Sequence, residues 1–482
     1  DGVTSLALLY ELLFFWGITP EVYIPDRFSE GYGLRYGVLE KYFLAGTNLV
    51  ITVDCGIRDV EIARQLLEKG WDLIITDHHE PGTKIPEAVA VVNPKLARNS
   101  YPERELAGVG VVYALARALM TRMNVDAKEQ EKFLKWNLDL VALGTVADMV
   151  PLLGENRILV KYGLISLAKS KKFGLRYLRQ MAGIDKDILT SEDISFGLAP
   201  RINASGRLDN ASYAFNLLIE KGDLEAEVLA KGIEQKNQER KMLTENIWQD
   251  VLSQVDANNL PGCIVLIDDG WSKGVLGLIA SKVMRRFYRP AIIATVDGEE
   301  IVASARSVEE INIVDILEQN QQYLFHFGGH KRAAGLTVKK NQWNEFINNV
   351  QNIIASESLL TSLVPKVKAE AEIDLGLVGD SIWDLLNLLQ PWGVGNEEPL
   401  LGSYDCLVVE VKKIGKEGNH LKFNFLTEQG KIIQGIWWSG SLKNKNIDKH
   451  DKVDVIYRVQ KELWNGRENF LLNIVDMRKR DE

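Results

Sequence analysis

The sequence predicts an α/β protein of several domains that ends in a small β-barrel. Short apolar runs alternate with helical patterns in two separate parts of the chain, and alternating polar and apolar residues dominate after Pro365. A chain of 482 residues is also too long for one hydrophobic core. We therefore expect an α/β domain over 1–221, a long connecting helix over 222–257, a second α/β domain over 258–358 and an OB-fold-like barrel over 365–482.

The first unit has the strand–helix–strand alternation of a parallel sheet with helices on its faces. Residues 49–53 and 73–76 are short apolar runs rich in β-branched residues, and they are predicted to be neighbouring strands with a helix over 58–69 between them. Helical periodicity resumes downstream, and one of these helices ends near Asp148. Open α/β sheets bind ligands at the carboxyl ends of their strands, so we expect the site there.

The connecting helix is predicted because residues 222–257 contain no proline and are rich in good helix formers. A second α/β unit begins with the apolar strand 263–267 and continues through a helix over 275–287. In the last unit, alternating segments such as 421–425 and 453–457 predict half-buried antiparallel strands separated by glycines. About five short strands in so short a stretch are typical of an OB-fold.

Composition and charge describe an ordinary globular protein with an uneven charge distribution. The net charge is −9, whereas residues 401–482 carry 15 Lys and Arg against 12 Asp and Glu, a net +3 that leaves −12 on the remainder. A basic tail on an acidic body fits a tail that meets phosphates and a body that holds cations. Composition drift between domains explains the same numbers equally well.

Cysteine usage and hydropathy favour a cytoplasmic protein. The three cysteines are far apart in sequence, which argues against a disulfide framework. The sequence contains no CxxC pair, so a structural zinc site is not indicated. No apolar run reaches the ~18 to 20 residues that a membrane span requires, and no basic segment typical of a signal peptide is visible.

Acidic and imidazole side chains fall where predicted strands and helices end. They are Asp1 before the first helix, Asp54 after the strand 49–53, Asp77, His78 and His79 after the strand 73–76, and Asp148 at the end of a helix. Each is, taken alone, more often a turn, capping or satisfied structural residue. Together they predict a metal site, because converging carboxylates repel one another without a cation. Oxygen ligands with one imidazole suit Mn²⁺ or Mg²⁺.

The motifs at these positions resemble those of the DHH phosphoesterase superfamily. They are Asp1-Gly2-Val3-Thr4-Ser5, Val53-Asp54-Cys55-Gly56, Thr76-Asp77-His78-His79-Glu80 and Gly144-Thr145-Val146-Ala147-Asp148, in the order and spacing of that family. Phe327-Gly328-Gly329-His330 is similar to the glycine-glycine-histidine motif of the DHH-associated domain. Residues 200–207 and 389–396 resemble stretches of the members that are single-strand-specific 5′→3′ DNA exonucleases, and the resemblance covers essentially the whole chain.

The resemblance implies two Mn²⁺ or Mg²⁺ ions in the full-length enzyme. Asp54 would bridge them, and Asp1, His78 and Asp148 would complete the shell of one ion. The family's first motif carries further aspartates upstream of the position that matches Asp1, and this chain lacks them. We therefore expect the chain as it stands to hold at most one ion tightly and to cleave poorly.

The remaining two residues of the triplet are implied to act beside the ions. His79 would contact the scissile phosphate or support the metal ligands, and Asp77 would orient the loop from behind. The predicted catalytic residues are thus Asp54, His78, His79 and Asp148, acting by two-metal hydrolysis of a phosphodiester.

Nine residues in three stretches are implied to bind the strand. They are Arg201, Asn203, Ser205 and Arg207 in the first stretch, Ser304 and Arg306 in the second, and Gly328, Gly329 and His330 in the third. The first stretch is expected to be a loop that recognises the strand and its 5′-phosphate, with Arg207 favoured over Arg201 for the phosphate. The third stretch is expected to approach a phosphate closely, and its alternative is a glycine-rich turn with a capping histidine.

The barrel offers aromatic side chains interleaved with lysines, a composition that suits single-strand binding. The aromatic residues are Phe423, Phe425, Trp437, Trp438, Trp464 and Phe470. We expect most of them to form the barrel core. Since adjacent residues of a strand point to opposite sides, either Trp437 or Trp438 is expected to be exposed.

The sequence therefore predicts a single-stranded-DNA-specific 5′→3′ exonuclease that releases 5′-mononucleotides in DNA repair and recombination. A phosphodiesterase of the same superfamily for short oligonucleotides or cyclic dinucleotides is one alternative, and a non-catalytic single-strand-binding replication scaffold is another. By resemblance we expect a cytoplasmic monomer that works with a helicase and a single-strand-binding protein and prefers a 5′-phosphorylated strand.

Overall fold

The computed structural model describes residues 1–26, 30–31, 33–208, 210–356, 363, 365–443, 447–464 and 467–480, without the side chains of residues 356, 442, 443, 463, 464 and 467.

The first domain is a small parallel sheet surrounded by helices. Its strands, in the order β1-β2-β3, are β1 (Leu49–Val53), β2 (Asp72–Thr76) and β3 (Ala90–Val92). Its helices are α1 (Gly2–Phe15), α2 (Tyr36–Leu44), α3 (Val60–Glu68), α4 (Gly108–Arg122), α5 (Ala127–Asp148), α6 (Gly154–Ala168), α7 (Phe173–Met181), α8 (Ala199–Leu208) and α9 (Ser212–Ile219). The predicted parallel sheet is confirmed, and helices α1, α4 and α5 pack together into the main core beside it.

The long helix α10 (Asp223–Gln254) connects this domain to the next one. Ala226, Ala230 and Ile233 at its start belong to the core of the first domain. Trp248 and Val251 near its end pack in the core of the second domain. Because each end of the helix is buried in a different core, α10 acts as a rigid spacer between the two domains.

The second domain is a five-stranded mixed sheet with helices against it. Its elements are β4 (Ile264–Ile267), α11 (Leu276–Phe287), β5 (Ala291–Asp297), β6 (Glu300–Arg306), α12 (Ile313–Glu318), β7 (Leu324–His330), β8 (Ala333–Lys339) and α13 (Trp343–Ser356). The strand order is β4-β5-β6-β8-β7, with β4 and β5 parallel and the other pairs antiparallel. This confirms the predicted second α/β unit.

The last domain is a closed five-stranded barrel. Its elements are β9 (Ala371–Glu372), α14 (Asp380–Leu389), β10 (Leu401–Ile414), β11 (His420–Leu426), β12 (Ile432–Trp437), α15 (Gly440–Lys443), β13 (Lys452–Trp464) and β14 (Arg467–Lys479). The ring runs β10-β11-β12-β14-β13 and closes through the pairing of β10 with β11. The predicted OB-fold-like barrel is therefore confirmed.

Within the described ranges, no helix combines the length and the apolar character that crossing a bilayer demands.

Candidate metal centre and strand-binding residues

The two central acidic residues follow neighbouring strands of the first sheet. Strands β1 and β2 pair in parallel register with Val53 opposite Thr76, so Asp54 and Asp77 emerge at the same edge. The Asp54 amide donates to the Thr76 carbonyl at 2.9 Å. Asp54 has a φ of 58°, a left-handed conformation that few non-glycine residues adopt. The predicted juxtaposition at the carboxyl edge is confirmed.

His78 lies at the centre of a group of carboxylates. Its Nε2 is 3.1 Å from Asp54 Oδ1 and 3.6 Å from both Asp1 Oδ2 and Asp148 Oδ2. The side chain is buried, and neither ring nitrogen makes a regular hydrogen bond with any residue that the structure describes. Burial alone lowers the pKa of His78, but the neighbouring carboxylates, Asp54 foremost, outweigh it and raise that pKa.

This arrangement fits a hard divalent cation. Two overlapping groups have ligand atoms that all lie within 4.8 Å of one another: Asp1, His78 and Asp148 form one, and Asp54, His78 and His79 form the other. Several carboxylates at this spacing repel one another unless a positive charge lies between them. The ring nitrogens of His78 are buried without a regular hydrogen-bond partner among the described residues. Buried polar atoms normally have a partner, and a metal ion would supply one. Mixed carboxylate and imidazole ligands suit Mn²⁺ and Mg²⁺.

The N-terminus of α4 holds Asp1 in place. The Gly108 amide donates to Asp1 Oδ2 at 2.6 Å and the Val109 amide to Oδ1 at 2.9 Å, which satisfies two helix-end donors with a carboxylate. A Cβ on Gly108 would lie 2.8 Å from Asp54 Oδ1, so only glycine fits. The sequence reasoning missed this contribution; a glycine at the start of a predicted helix was the available signal.

Asp77 fixes the conformation of the loop that carries the histidines. Its buried carboxylate accepts hydrogen bonds from the amides of Ile57, His78 and His79 and contacts His79 Nδ1 at 2.7 Å. Burial raises the pKa of Asp77, but the bonds from His79 and Ile57 outweigh it, so that pKa is lowered. These bonds hold the segment that carries both histidines in one conformation, and the orienting role of Asp77 stays a prediction.

Asn93 supports the same loop and was not singled out from the sequence. This fully buried residue follows β3, and its Nδ2 donates to the His79 carbonyl at 2.9 Å while its Oδ1 accepts from the Lys95 amide at 2.8 Å. An asparagine directly after a predicted strand and before Pro94 was the only local signal.

The first predicted strand-binding stretch is a helix, so the expectation of a loop was wrong. Helix α8 continues directly from a π-helix over Asp193–Leu198. Pro200 lies in its first turn, where the missing amide is tolerated, and the buried face of the helix packs against α10. Tertiary packing thus overrides the loop preference of the residues 203–206.

The four candidates on α8 have different environments. Arg201 is buried: its Nε lies 2.6 Å from Glu234 Oε2, and its two terminal nitrogens donate to the carbonyls of Gly197 and Met181. Each of its three guanidinium nitrogens has a partner inside the fold, and the strand-binding role of Arg201 stays a prediction. The Ser205 hydroxyl is likewise buried and donates to the Ile202 carbonyl.

The other two candidates on α8 are accessible. Asn203 is exposed. Arg207 is half-buried and donates to the Gly274 carbonyl of the second domain at 3.2 Å. Arg207 therefore lies where the two α/β domains meet.

Ser304 and Arg306 form a compact pair on β6. Arg306 Nη1 donates to Ser304 Oγ at 3.1 Å, and Nε donates to Ser281 Oγ of α11 at 3.1 Å. A Cβ on Gly277 would lie 3.0 Å from Arg306 Nη2. Burial lowers the pKa of Arg306, and no carboxylate among the described residues forms an ion pair with it. The guanidinium is thus held in position without a counter-charge.

The glycine-glycine-histidine stretch lies in the edge strand β7 rather than in a turn. Gly328 and His330 are exposed, and the strand pairs with β8. Gly329 has a φ of 157°, and a Cβ there would lie 2.3 Å from the Ala333 carbonyl oxygen. Glycine is therefore required by the close approach of the two strands, and the alternative of a glycine-rich turn was wrong.

The barrel aromatics divide as expected between core and surface. Phe423, Phe425 and Trp437 are buried in the barrel core, whereas Trp438 is 52% exposed and packs edge-on against His420. The side chain of Trp464 lies outside the described residues. One surface tryptophan is thus available on the barrel.

Comparison with known proteins identifies the class. Three family models match: the DHH family N-terminal domain over residues 1–145, the DHHA1 domain over 259–356 and the RecJ OB domain over 369–476. The chain is therefore a DHH-family protein with an associated domain and an OB barrel, which confirms the resemblance read from its motifs.

Two curated relatives are both named single-stranded-DNA-specific exonuclease RecJ. The protein from Bacillus subtilis is 35% identical over 99% of this chain and 60% of its own length. The protein from Haemophilus influenzae is 33% identical over 90% of this chain and 78% of its own length. The chain belongs to the RecJ family, and it spans about 60% of the length of the first of these relatives.

Solved structures of RecJ from Thermus thermophilus are similar over the whole chain. The complex with Mn²⁺ superposes with a TM-score of 0.84 at 30% identity, covering 100% of this chain and 68% of that one. The complex with Mg²⁺ gives a TM-score of 0.79 at 28% identity, covering 100% and 66%. The prediction of Mn²⁺ or Mg²⁺ as the cofactor is confirmed at the level of the family.

Proposed function

We propose that this chain is a metal-dependent exonuclease that degrades single-stranded DNA from the 5′ end and releases 5′-mononucleotides in DNA repair and recombination. The observation that carries the proposal is the convergence of Asp1, Asp54 and Asp148 on the buried His78, all within 3.6 Å of its Nε2. Membership of a family whose relatives are named single-stranded-DNA-specific exonucleases supports the choice of substrate.

The metal ligands in this proposal are Asp1, Asp54, His78 and Asp148. A bound Mn²⁺ or Mg²⁺ would supply Lewis-acid activation of the attacking water and of the phosphodiester. The residues themselves preorganise the centre: the α4 N-terminus fixes Asp1, and the left-handed backbone of Asp54 aims its carboxylate inward.

His79 is proposed to contact the scissile phosphate. Its side chain is 41% exposed, and its Nδ1 contact with Asp77 fixes the orientation of the ring. Because a carboxylate oxygen accepts hydrogen bonds, the Asp77 contact favours the ring tautomer that carries its proton on Nδ1. Asp77 thus acts on the substrate only through His79.

The strand is proposed to run between the two α/β domains and onto the barrel. Asn203 and Arg207 on α8 and the Ser304–Arg306 pair on β6 lie on the two sides of this junction, which the Arg207–Gly274 hydrogen bond spans. Arginine matches a phosphate with a forked pair of donors, so Arg207 and Arg306 are the proposed phosphate-binding residues. The exposed backbone at Gly328 and Gly329 and the His330 side chain would receive the next phosphate.

The compartment, oligomeric state and partners are proposed from the family resemblance and the composition. We propose a cytoplasmic monomer that acts with a helicase and a single-strand-binding protein on 5′-phosphorylated strands. The three cysteines are free thiols, which fits a reducing compartment.

A nuclease assay on a roughly 30-nucleotide single strand, labelled at either end and incubated with Mn²⁺, tests the proposal. We expect the 5′ label to leave first as a mononucleotide, with no cleavage of blunt duplex DNA or in EDTA. Arg207→Ala should remove the preference for a 5′-phosphate over a 5′-hydroxyl. Release from the 3′ end would contradict the polarity, and binding without any cleavage would contradict the enzymatic assignment.

A further inference from the structure

The loop that precedes the barrel contacts the first domain at a point close to the metal centre. We call residues 391–396 the docking loop. Its Val394 carbonyl accepts a hydrogen bond from the Leu152 amide at 2.7 Å, and its Trp392 carbonyl accepts one from Ser191 Oγ. In both contacts a backbone carbonyl of the docking loop accepts a hydrogen bond from the catalytic domain. These atoms are engaged between the two domains, so strand binding does not account for them.

The first contact lies a few residues from a proposed metal ligand. Asp148 is the last residue of α5, and Met149, with a φ of 65°, turns the chain sharply out of the helix. Leu152 lies three residues further on, after Val150 and Pro151, and is almost fully buried. The helix end that carries the Asp148 carboxylate is therefore fixed on its C-terminal side by the docking loop.

The docking loop fits this segment without spare room. A Cβ on Gly393 would lie 2.5 Å from Leu152 Cδ1, which leaves no space for a side chain. The loop is itself rigid, because Asn396 Nδ2 donates to the carbonyls of Leu389 and Pro391 at 3.0 and 2.9 Å. A rigid loop in close contact transmits its position to the segment that it touches.

Arg157 of α6 strengthens the same junction. Its Nη2 lies 3.0 to 3.3 Å from the carbonyls of Leu388, Leu389 and Gln390, at the C-terminal end of α14. The last carbonyls of a helix lack partners within the helix, and a guanidinium can donate hydrogen bonds to them. Its positive charge also interacts favourably with the negative end of the helix dipole. The barrel domain is thus held to the catalytic domain by an arginine as well as by the docking loop.

The second contact leads to the proposed strand-binding helix. Ser191 is buried and lies two residues before the start of the π-helix 193–198, which continues into α8. The docking loop therefore touches both the segment that leaves Asp148 and the segment that enters the helix of Asn203 and Arg207.

We propose that the docking loop positions Asp148, so that the barrel domain contributes to the geometry of the metal centre in addition to any contact with DNA. Gly393 and Arg157 are the positioning residues, and both act through the 149–153 segment. This inference rests on the proposed function, because it takes the carboxylate cluster to be a metal site.

Mn²⁺ binding to the whole chain, measured by titration calorimetry, tests the proposal with a readout other than activity. Gly393→Val places a side chain against Leu152, and Arg157→Ala removes the contacts to α14. Both variants are expected to bind Mn²⁺ about 10-fold more weakly, as is typical when a group that orients a metal ligand is lost. Arg157→Lys, which keeps the positive charge and an N–H donor group, should recover part of the affinity.

Gly232→Ala is the matched control, because a Cβ at that helical position meets no atom within 4 Å. Single-strand affinity in EDTA and the thermal midpoint are measured on every variant. Unchanged Mn²⁺ binding in a folded variant, with weaker single-strand binding, would reduce the loop to a connector between domains and overturn the proposal. If Gly393→Val does not fold, Arg157→Ala decides. A parent chain that binds no Mn²⁺ would instead refute the proposed function.

Discussion

The metal centre and the surface of the barrel handle charge in opposite ways. Around His78 the carboxylates of Asp1, Asp54 and Asp148 converge, each within 3.6 Å of its Nε2. On the barrel, by contrast, Asp454 Oδ2 lies 2.9 Å from Arg478 Nε. At this barrel pair a carboxylate meets a guanidinium, whereas the carboxylates of the first domain meet one another and favour a bound cation. Like charges brought together by rigid secondary structure thus distinguish a functional site from a stabilising ion pair.

The largest expected effects come from replacing the two aspartates compared above, Asp54 in the metal centre and Asp454 in the barrel. Asp54→Asn should reduce hydrolysis at least about 10³-fold, because a charged metal ligand is lost. The free energy of unfolding without metal should stay the same or rise, since repulsion among the carboxylates falls. Asp454→Asn should have the opposite profile, with normal hydrolysis and a loss of about 1 kcal/mol in stability. Urea unfolding in EDTA and a nuclease assay check both variants; parallel behaviour would remove the distinction.

Two arginines offer the next test. Arg306→Ala should weaken single-strand binding about 10-fold, because one phosphate contact is lost. The slope of the logarithm of the binding constant against the logarithm of the salt concentration should fall in magnitude by about one. Arg201→Ala should instead remove the buried partner of Glu234 together with two carbonyl hydrogen bonds, and destabilise the chain by about 3 to 5 kcal/mol. Fluorescence anisotropy at several salt concentrations and thermal unfolding measure the two effects. A large loss of affinity in folded Arg201→Ala would return that residue to the strand-binding set.

Adjacent tryptophans of the barrel should also behave differently. Trp438→Ala is expected to cost about 1 kcal/mol of single-strand binding, roughly fivefold in affinity, through loss of a stacking surface. Trp437→Ala opens a cavity in the core and should cost about 3 to 5 kcal/mol of stability. Binding titrations and urea unfolding separate the two. Equal single-strand affinity in Trp438→Ala and the parent chain would exclude that ring from the binding surface.

The last expected effect is a pH dependence of stability in the barrel domain. Burial raises the pKa of Glu398 from 4.5 to about 7, with Arg458 opposing the shift and Glu192 adding to it. A raised pKa means that the folded state keeps the proton longer, so stability falls as pH rises from about 4.5 to about 7 and is level above that. The stability of Glu398→Gln relative to the parent chain should therefore increase as the pH rises from about 4.5 to about 7. Thermal midpoints at pH 5 and pH 8 check this, and an equal difference at both pH values would argue against it.

The sequence was most informative where function depends on local pattern. The strand Leu49–Val53 and the positions of Asp54 and Asp77 at adjacent strand ends follow from apolar runs and from the geometry of parallel sheets. The helix end at Asp148 follows from helical periodicity. These features are encoded within a few residues of one another, so a single sequence is enough to predict them.

Contacts between distant segments were beyond prediction. Asp1 meets the amide of Gly108 across more than a hundred residues, and Arg201 finds Glu234 only once α8 packs on α10. The docking loop reaches Leu152 from another domain. No periodicity signals such partners, because they are selected by packing of whole elements rather than by local propensity.

The central claim is that the carboxylate cluster around His78 is a divalent-metal site. Titration of Mn²⁺ into the metal-free chain and into His78→Ala tests this most directly. The account predicts saturable binding to the parent chain, a gain in stability of about 2.7 kcal/mol at a hundred times the dissociation constant, and loss of both in the variant. Identical isotherms for the two proteins, or no saturable binding to the parent chain, would contradict it.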